Sequence, residues 1–201
     1  MGHRTTSNRD QSRASYLAKK VLHMLGWTLD FEGLPTSHGI IVVYPHTSNW
    51  DFCLGMLARW SIGIQIHFLV KDSLFKYPLL GGWLRSIGGQ SVNRDSPHGY
   101  VAFLASQMQS QSNYWLAITP EGTRKKTPGW KSGFYHLAKE TGYPVGFAYI
   151  DYPRKSIQLR TFLYVTGDID QDFSLIREVY DGKLGLYPEK MSPIQFIPRG
   201  K

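Results

Sequence analysis

The feature that most constrains this chain is the run Gly39-Ile40-Ile41-Val42-Val43-Tyr44, closed by Pro45. Continuous apolar, β-branched residues without polar alternation specify a strand buried on both faces, and such strands belong to largely parallel sheets covered by helices. The flanking sequence supplies partners for it. Leu17, Val21, Leu22 and Leu25 fall on one face of a short amphipathic helix with Trp27 at its end. A helix is expected over residues 49–60 and a strand over 64–70, followed by turn-rich sequence through Tyr77-Pro78 and Gly81-Gly82. Ser96 with Pro97 then opens a helix whose inner face is Val101, Leu104, Ala105 and Met108. Residues 114–118, 145–150 and 157–165 read as strands, and 133–141 as a helix closed by Gly142. Strands repeatedly separated by helices predict an α/β fold, a single domain with a mostly parallel or mixed central sheet flanked by helices. At 201 residues and 42% hydrophobic content, the chain holds one well-buried domain and not two.

Charge and cysteine content narrow the function classes. Lys and Arg outnumber Asp and Glu by 23 to 15, a formal +8 that favours polyanionic company: nucleic acid, acidic lipid or phosphorylated substrates. The single cysteine, Cys53, forbids an internal disulfide and is expected to be a small buried hydrophobe in a reducing compartment. The first fifteen residues are polar and basic and lack the apolar stretch of a secretory signal, so a cytoplasmic location is expected. The nearly apolar stretch 52–70 is broken by Arg59, His67, Gly55 and Gly63, which makes it a buried helix followed by a strand, not a membrane span.

Three segments carry chemistry. Pro45-His46-Thr47-Ser48-Asn49-Trp50-Asp51 sits where the buried strand ends and a helix begins, the place where open α/β sheets hold ligands. Ser48 and Asp51 match a capping box, so Asp51 can serve simply to satisfy a free amide at the helix start. Alternatively the turn folds the Asp51 carboxylate back onto the His46 imidazole, orienting one ring nitrogen and leaving the other as a base. Thr119-Pro120-Glu121-Gly122-Thr123-Arg124-Lys125-Lys126 follows a strand. Its first four residues suit a type I turn, and the cations after them suit a phosphate, whose oxygens match planar Arg donors in pairs. Gly88-Gly89-Gln90-Ser91-Val92-Asn93-Arg94 is strand-like and ends on a cation, and Lys71 ends an earlier strand. No set of His, Cys and carboxylates has metal-ligand spacing.

Together these segments resemble the glycerophospholipid acyltransferase family, whose best-known members acylate lysophosphatidate. His46 and Asp51 fit the family's motif of histidine, four residues and aspartate, and residues 88–94 fit its glycine-to-arginine second motif. Glu121-Gly122-Thr123-Arg124 is the third motif letter for letter, and Pro144-Val145 stands where the fourth belongs. Thr119, Gln90 and Ser91 depart from the usual residues at their places.

The resemblance implies an O-acyltransferase with His46 as general base and Asp51 as its orienting partner. It further implies Lys71, Arg94 and Arg124 as phosphate binders, and Glu121, Gly122 and Thr123 as substrate-binding residues shaping the acceptor pocket. The donor would be a thioester on coenzyme A or acyl carrier protein, with no other cofactor and no metal, and the acceptor a lysophosphatidate-like lipid in phospholipid biosynthesis. Glycerol 3-phosphate or an acylated amino-acid lipid is the alternative acceptor. On this reading residues 1–30 form a polar tail and an amphipathic membrane-docking helix, and 31–201 the acyltransferase domain. The protein would sit peripherally on the cytoplasmic face of an anionic membrane. A basic lipid- or nucleic-acid-binding module without catalysis is the rival reading, but aromatics do not alternate with Lys and Arg as stacking platforms require, so no nucleic-acid partner is expected.

Overall fold

The computed structural model describes residues 8–92 and 99–198, with side chains from residue 13 onward. The expected buried strand is β2 (His38–Val43), near the middle of a seven-stranded sheet. Its neighbours are β5 (Tyr114–Ile118) and β7 (Val145–Asp151), both parallel to it. β3 (His67–Lys71) and β4 (Gly89–Val92) extend the parallel sheet beyond β5. On the other side β8 (Ser156–Leu163) returns antiparallel to β7 through a tight turn, and β1 (Thr28–Phe31) closes the edge parallel to β8. The sheet is therefore mixed but mostly parallel, as the sequence predicts. A separate two-residue pairing joins β6 (Trp130–Lys131) to β9 (Phe196–Ile197).

Strand alternation sends Ile40 and Val42 to one face of β2 and Ile41 and Val43 to the other. The first face packs under α4 (Tyr100–Gln109), α5 (Gly133–Thr141) and α6 (Ile169–Val179), with Trp130, Phe134, Phe173 and Tyr180 filling the layer. Each such fully buried side chain contributes about 1.5–3 kcal/mol of transfer free energy, and this face holds the largest buried cluster among the described residues. The inner face of α4 is Val101, Leu104, Ala105 and Met108, as expected; the Ser96-Pro97 start assigned to it lies outside the described residues.

The second face carries α1 (Asn8–Met24) and α2 (Trp50–Ile62). α2 presents Leu54 and Ala58 to Ile150 and Ile157, and α1 lays Leu22 against the same cluster. Ser15, Ala18 and Leu22 form the single stripe of α1 that faces inward, and the Ser15 hydroxyl donates to the Ser61 carbonyl at 2.6 Å. The single apolar face read from the sequence is thus divided: Leu22 is buried and Val21 partly so, while Leu17 and Leu25 point to solvent together with Met24. Trp27 packs edge-on against Tyr152, ring centres 5.1 Å apart, so the segment after α1 is part of the sheet domain. The expected boundary at residue 30 runs through β1.

One helix replaces what reads as turns. α3 (Pro78–Ser86) starts with Pro78 in its first turn, where the missing N–H costs nothing. Gly81 is there for close approach: a Cβ would stand 2.7 Å from the Phe75 carbonyl oxygen. Two turn-forming residue types therefore mark a helix start and a packing contact.

Candidate active site

β2 carries the chain into the turn 44–49, and α2 begins immediately after it. Within that turn the two readings of Asp51 prove to be one arrangement. Asp51 Oδ2 lies 3.2 Å from His46 Nδ1 and also accepts the backbone N–H groups of Thr47 and Ser48, each at 2.8 Å. The carboxylate therefore caps the turn that leads into α2 and fixes the imidazole at once. Its other oxygen, Oδ1, accepts the Tyr152 hydroxyl at 2.7 Å.

Asp51 is only 3% exposed, and burial alone would push its pKa up. Hydrogen bonds from His46, Tyr152 and the Ser48 amide, with the attraction of the imidazole, outweigh that and hold the carboxyl below its ordinary range. The same carboxylate pushes the Tyr152 hydroxyl up, behind burial as the larger cause, so Tyr152 remains a donor at any physiological pH. With Nδ1 occupied by Asp51, Nε2 is the nitrogen of His46 left to face the cleft, and no described residue hydrogen-bonds it.

Glu121 occupies a different place from the one expected. Its side chain is fully buried and absent from the cleft wall. Oε2 accepts the His46 N–H at 2.8 Å and Oε1 the Ser192 N–H at 3.1 Å. It is a bracket between the His46 turn and the C-terminal segment, and it does not line the cleft. Burial raises its pKa, partly offset by those two amides, the Ser192 hydroxyl and the nearby imidazole. Burial and the Glu121 charge together push Tyr44 up to about 12, and its hydroxyl donates to the Ser192 carbonyl at 2.8 Å.

Gly122 closes the turn that lets Glu121 point inward. Its φ is +66°, a left-handed conformation that favours glycine, and its N–H donates to the Thr119 carbonyl at 3.0 Å. A Cβ here would stand 3.1 Å from Lys131 Nζ, a tight contact that requires the lysine to shift slightly. Thr123 and Arg124 follow on the cleft wall, and Lys71 reaches the same cleft from the end of β3. Arg94 lies outside the described residues.

The cleft itself has a volume of about 1460 Å³. Its floor is the second sheet face, including Ile41, Val43 and Ala117, and α2 and α3 contribute Met56 and Trp83 to its walls. The result is a largely apolar trough whose lining also includes His46, Lys71 and Arg124. Cys53 is exposed on this lining, not buried as its residue type suggests, because it is turned about 100° around α2 from the buried Leu54.

Several residues of this site carry no motif. Tyr152 holds Asp51 from 101 positions away, and Tyr187 donates its N–H to the Thr47 hydroxyl at 3.2 Å from 140 positions away. Lys190 stands over the Tyr187 ring, 3.9 Å from its centre, and both line the cleft. Such pairings arise only on folding. The one signal available was the aromatic content of 14%, which marks many residues and selects none.

The sequence model of the family described as Acyltransferase matches residues 29–150, the stretch that holds every motif of the site. The chain belongs to this acyltransferase family. Its curated relatives include the 1-acyl-sn-glycerol-3-phosphate acyltransferase of Cocos nucifera, 28% identical over 133 residues, which are 63% of this chain and 42% of that protein. Another is the chloroplastic 1-acyl-sn-glycerol-3-phosphate acyltransferase BAT2 of Brassica napus, 29% identical over 118 residues, 57% of this chain and 33% of that protein. The chain thus aligns with less than half the length of either relative. The crystal structure of PlsC, the 1-acyl-sn-glycerophosphate acyltransferase of Thermotoga maritima, shares the fold with a TM-score of 0.56. That likeness covers 87% of this chain and 80% of PlsC at 16% identity. Tyr152, Tyr187, Lys190 and Ser192 lie beyond the family match, so the candidate site of this chain draws on residues outside it.

Proposed function

We propose that this acyltransferase moves a fatty acyl group from a thioester to a hydroxyl of a phosphate-bearing lysolipid, with His46 as general base. The observation that carries the reading is the Asp51–His46 pair, 3.2 Å apart, on the wall of a large apolar cleft. An imidazole fixed through Nδ1 by a buried carboxylate accepts a proton at Nε2 and is stabilised as it charges. In the reaction His46 takes the acceptor's O–H proton as that oxygen bonds to the thioester carbonyl carbon. The C–S bond then breaks, and the departing thiolate recovers the proton from the imidazolium. No enzyme-bound acyl group is required, which fits a cleft larger than the roughly 300–1,000 Å³ typical of a single small-ligand pocket.

Lys71 and Arg124 support an acceptor that carries phosphate, since both reach the cleft that holds His46. Coenzyme A and acyl carrier protein are both chemically adequate donors. The exposed Leu17, Met24 and Leu25 with Lys19 and Lys20 support peripheral docking of α1 on an anionic, cytoplasmic membrane face. Thiol release from acyl-coenzyme A and acyl carrier protein should be measured against lysophosphatidate, glycerol 3-phosphate and a phosphate-free lysolipid. Lysophosphatidate is expected to support the fastest release. Equal rates with the phosphate-free lysolipid would remove the phosphate from the proposal, and no release with any acceptor would remove the activity.

A further inference from the structure

We propose that α3 and the 3-10 turn before it (Asp72–Lys76) form a second membrane-contacting element, which seats the rim of the cleft on an anionic bilayer. α3 turns Gly81 and Leu84 inward and leaves the rest of its apolar side chains in water. Leu79 is 91% exposed, Tyr77 64% and Trp83 48%, and Leu74 and Leu80 are exposed beside them. Isolated exposed apolar residues are ordinary, but five large ones in one short segment mark a contact surface. Tyr and Trp with Leu are the side chains that settle at a lipid headgroup boundary, with ring polar atoms in water and apolar bodies below it.

Three further observations select a bilayer as the occupant. The first is charge. Lys71, Lys76 and Arg85 are exposed in the same segment, whereas its one acid, Asp72, accepts the Ser73 N–H at 2.7 Å. That excess complements anionic headgroups. The second is rigidity. Gly81 packs against the Phe75 backbone, and the Arg85 guanidinium lies over the Phe75 ring, 5.4 Å from its centre, so α3 and the turn present one fixed surface. The third is continuity, because Leu74 and Trp83 belong both to this surface and to the cleft lining. A lysolipid could pass from the bilayer into the cleft along apolar side chains. The inference rests on the acyl-transfer reading for its purpose, though not for the binding itself.

The test uses the full-length protein and vesicles of phosphatidylglycerol with phosphatidylcholine, compared with phosphatidylcholine alone. Wild type should co-sediment with the anionic vesicles, more weakly in high salt. Leu79→Glu should lower that affinity at least tenfold, and Leu79→Phe should retain it. Neither residue change touches the cleft lining, so Leu79→Glu should acylate a short-chain, water-soluble lysophosphatidate at the wild-type rate while losing activity on the vesicle-borne acceptor. Vesicle binding by a folded Leu79→Glu protein equal to wild type would overturn the proposal. So would a wild-type dimer that this substitution separates without altering vesicle binding, since the patch would then serve a second copy of the chain. If wild type acylates no acceptor yet Leu79→Glu still abolishes vesicle binding, the surface stands and the catalytic reading falls.

Discussion

Asp51→Asn is the substitution that separates a carboxylate that drives catalysis from one that only caps a helix. Asn is nearly isosteric, and its amide oxygen can still accept from Thr47 and Ser48, as Oδ2 does at 2.8 Å. Its NH₂ group would then meet the Tyr152 hydroxyl, which can rotate to accept. The cap therefore survives and the negative charge beside His46 does not. The bond to His46 Nδ1 also survives on that oxygen but loses its charge. Charged hydrogen bonds exceed neutral ones by about 1–1.5 kcal/mol, so kcat should fall roughly five- to fifteenfold as the imidazole charges. KM should change little, because Asp51 is buried behind His46. Initial rates of thiol release give kcat and KM, with thermal melting as the control for folding.

Acid titration supplies a second reading of the same change. The folded Asp51 carboxyl lies below its ordinary value of 3.8, so its stabilising contribution is fully present above that value and is lost as pH falls through the lower, folded one. Asp51→Asn removes this dependence, and its melting temperature should fall less than that of wild type on acidification from about pH 5 to about pH 3. A well-folded variant with near-normal kcat would refute the orienting role and leave only the cap.

Three more substitutions probe the surroundings. Tyr152→Phe removes one of the hydrogen bonds that keep Asp51 ionised and placed; kcat should fall several-fold, less than for Asp51→Asn, and an unchanged kcat would show that Tyr152 is only packing against Trp27. Arg124→Ala should reduce the preference for phosphate-bearing over phosphate-free lysolipid by one to two decades, about 1.5–3 kcal/mol, and an unchanged ratio would place the phosphate elsewhere. Met24→Glu, on the exposed side of α1, should weaken binding to anionic vesicles without lowering the melting temperature, and equal binding would remove α1 from the docking surface. A point substitution is the right probe there, because Leu22 and Trp27 pack with Leu54, Ile150 and Ile157, and deleting the helix would open that cluster.

What the sequence made legible is what local rules govern. β2 stood out because a run buried on both faces needs no alternation, and α5 because Gly142 ends it in a left-handed conformation. β3 begins at His67, three residues later than its apolar run suggests, and the Ile64 carbonyl ahead of it accepts from Arg59. α3 was hidden by Pro78 and Gly81, two residue types that usually break helices and here start one and admit the Phe75 backbone. At the site, His46 and Asp51 were readable because five residues and one turn separate them. Glu121 was readable as a motif residue but not as a buried bracket, since its partners His46 and Ser192 lie 75 and 71 positions away. Tyr152 and Tyr187 reach the site through tertiary contacts, for which no local pattern exists.

The central claim is that Nε2 of His46 takes the acceptor's proton. The most direct measurement is the rate of acceptor-dependent thiol release by His46→Ala, beside wild type, at equal concentrations of properly folded protein. Loss of a general base should cost 10²–10⁴-fold in kcat with the melting temperature nearly unchanged. A well-folded His46→Ala protein that turns over near the wild-type rate would contradict the account.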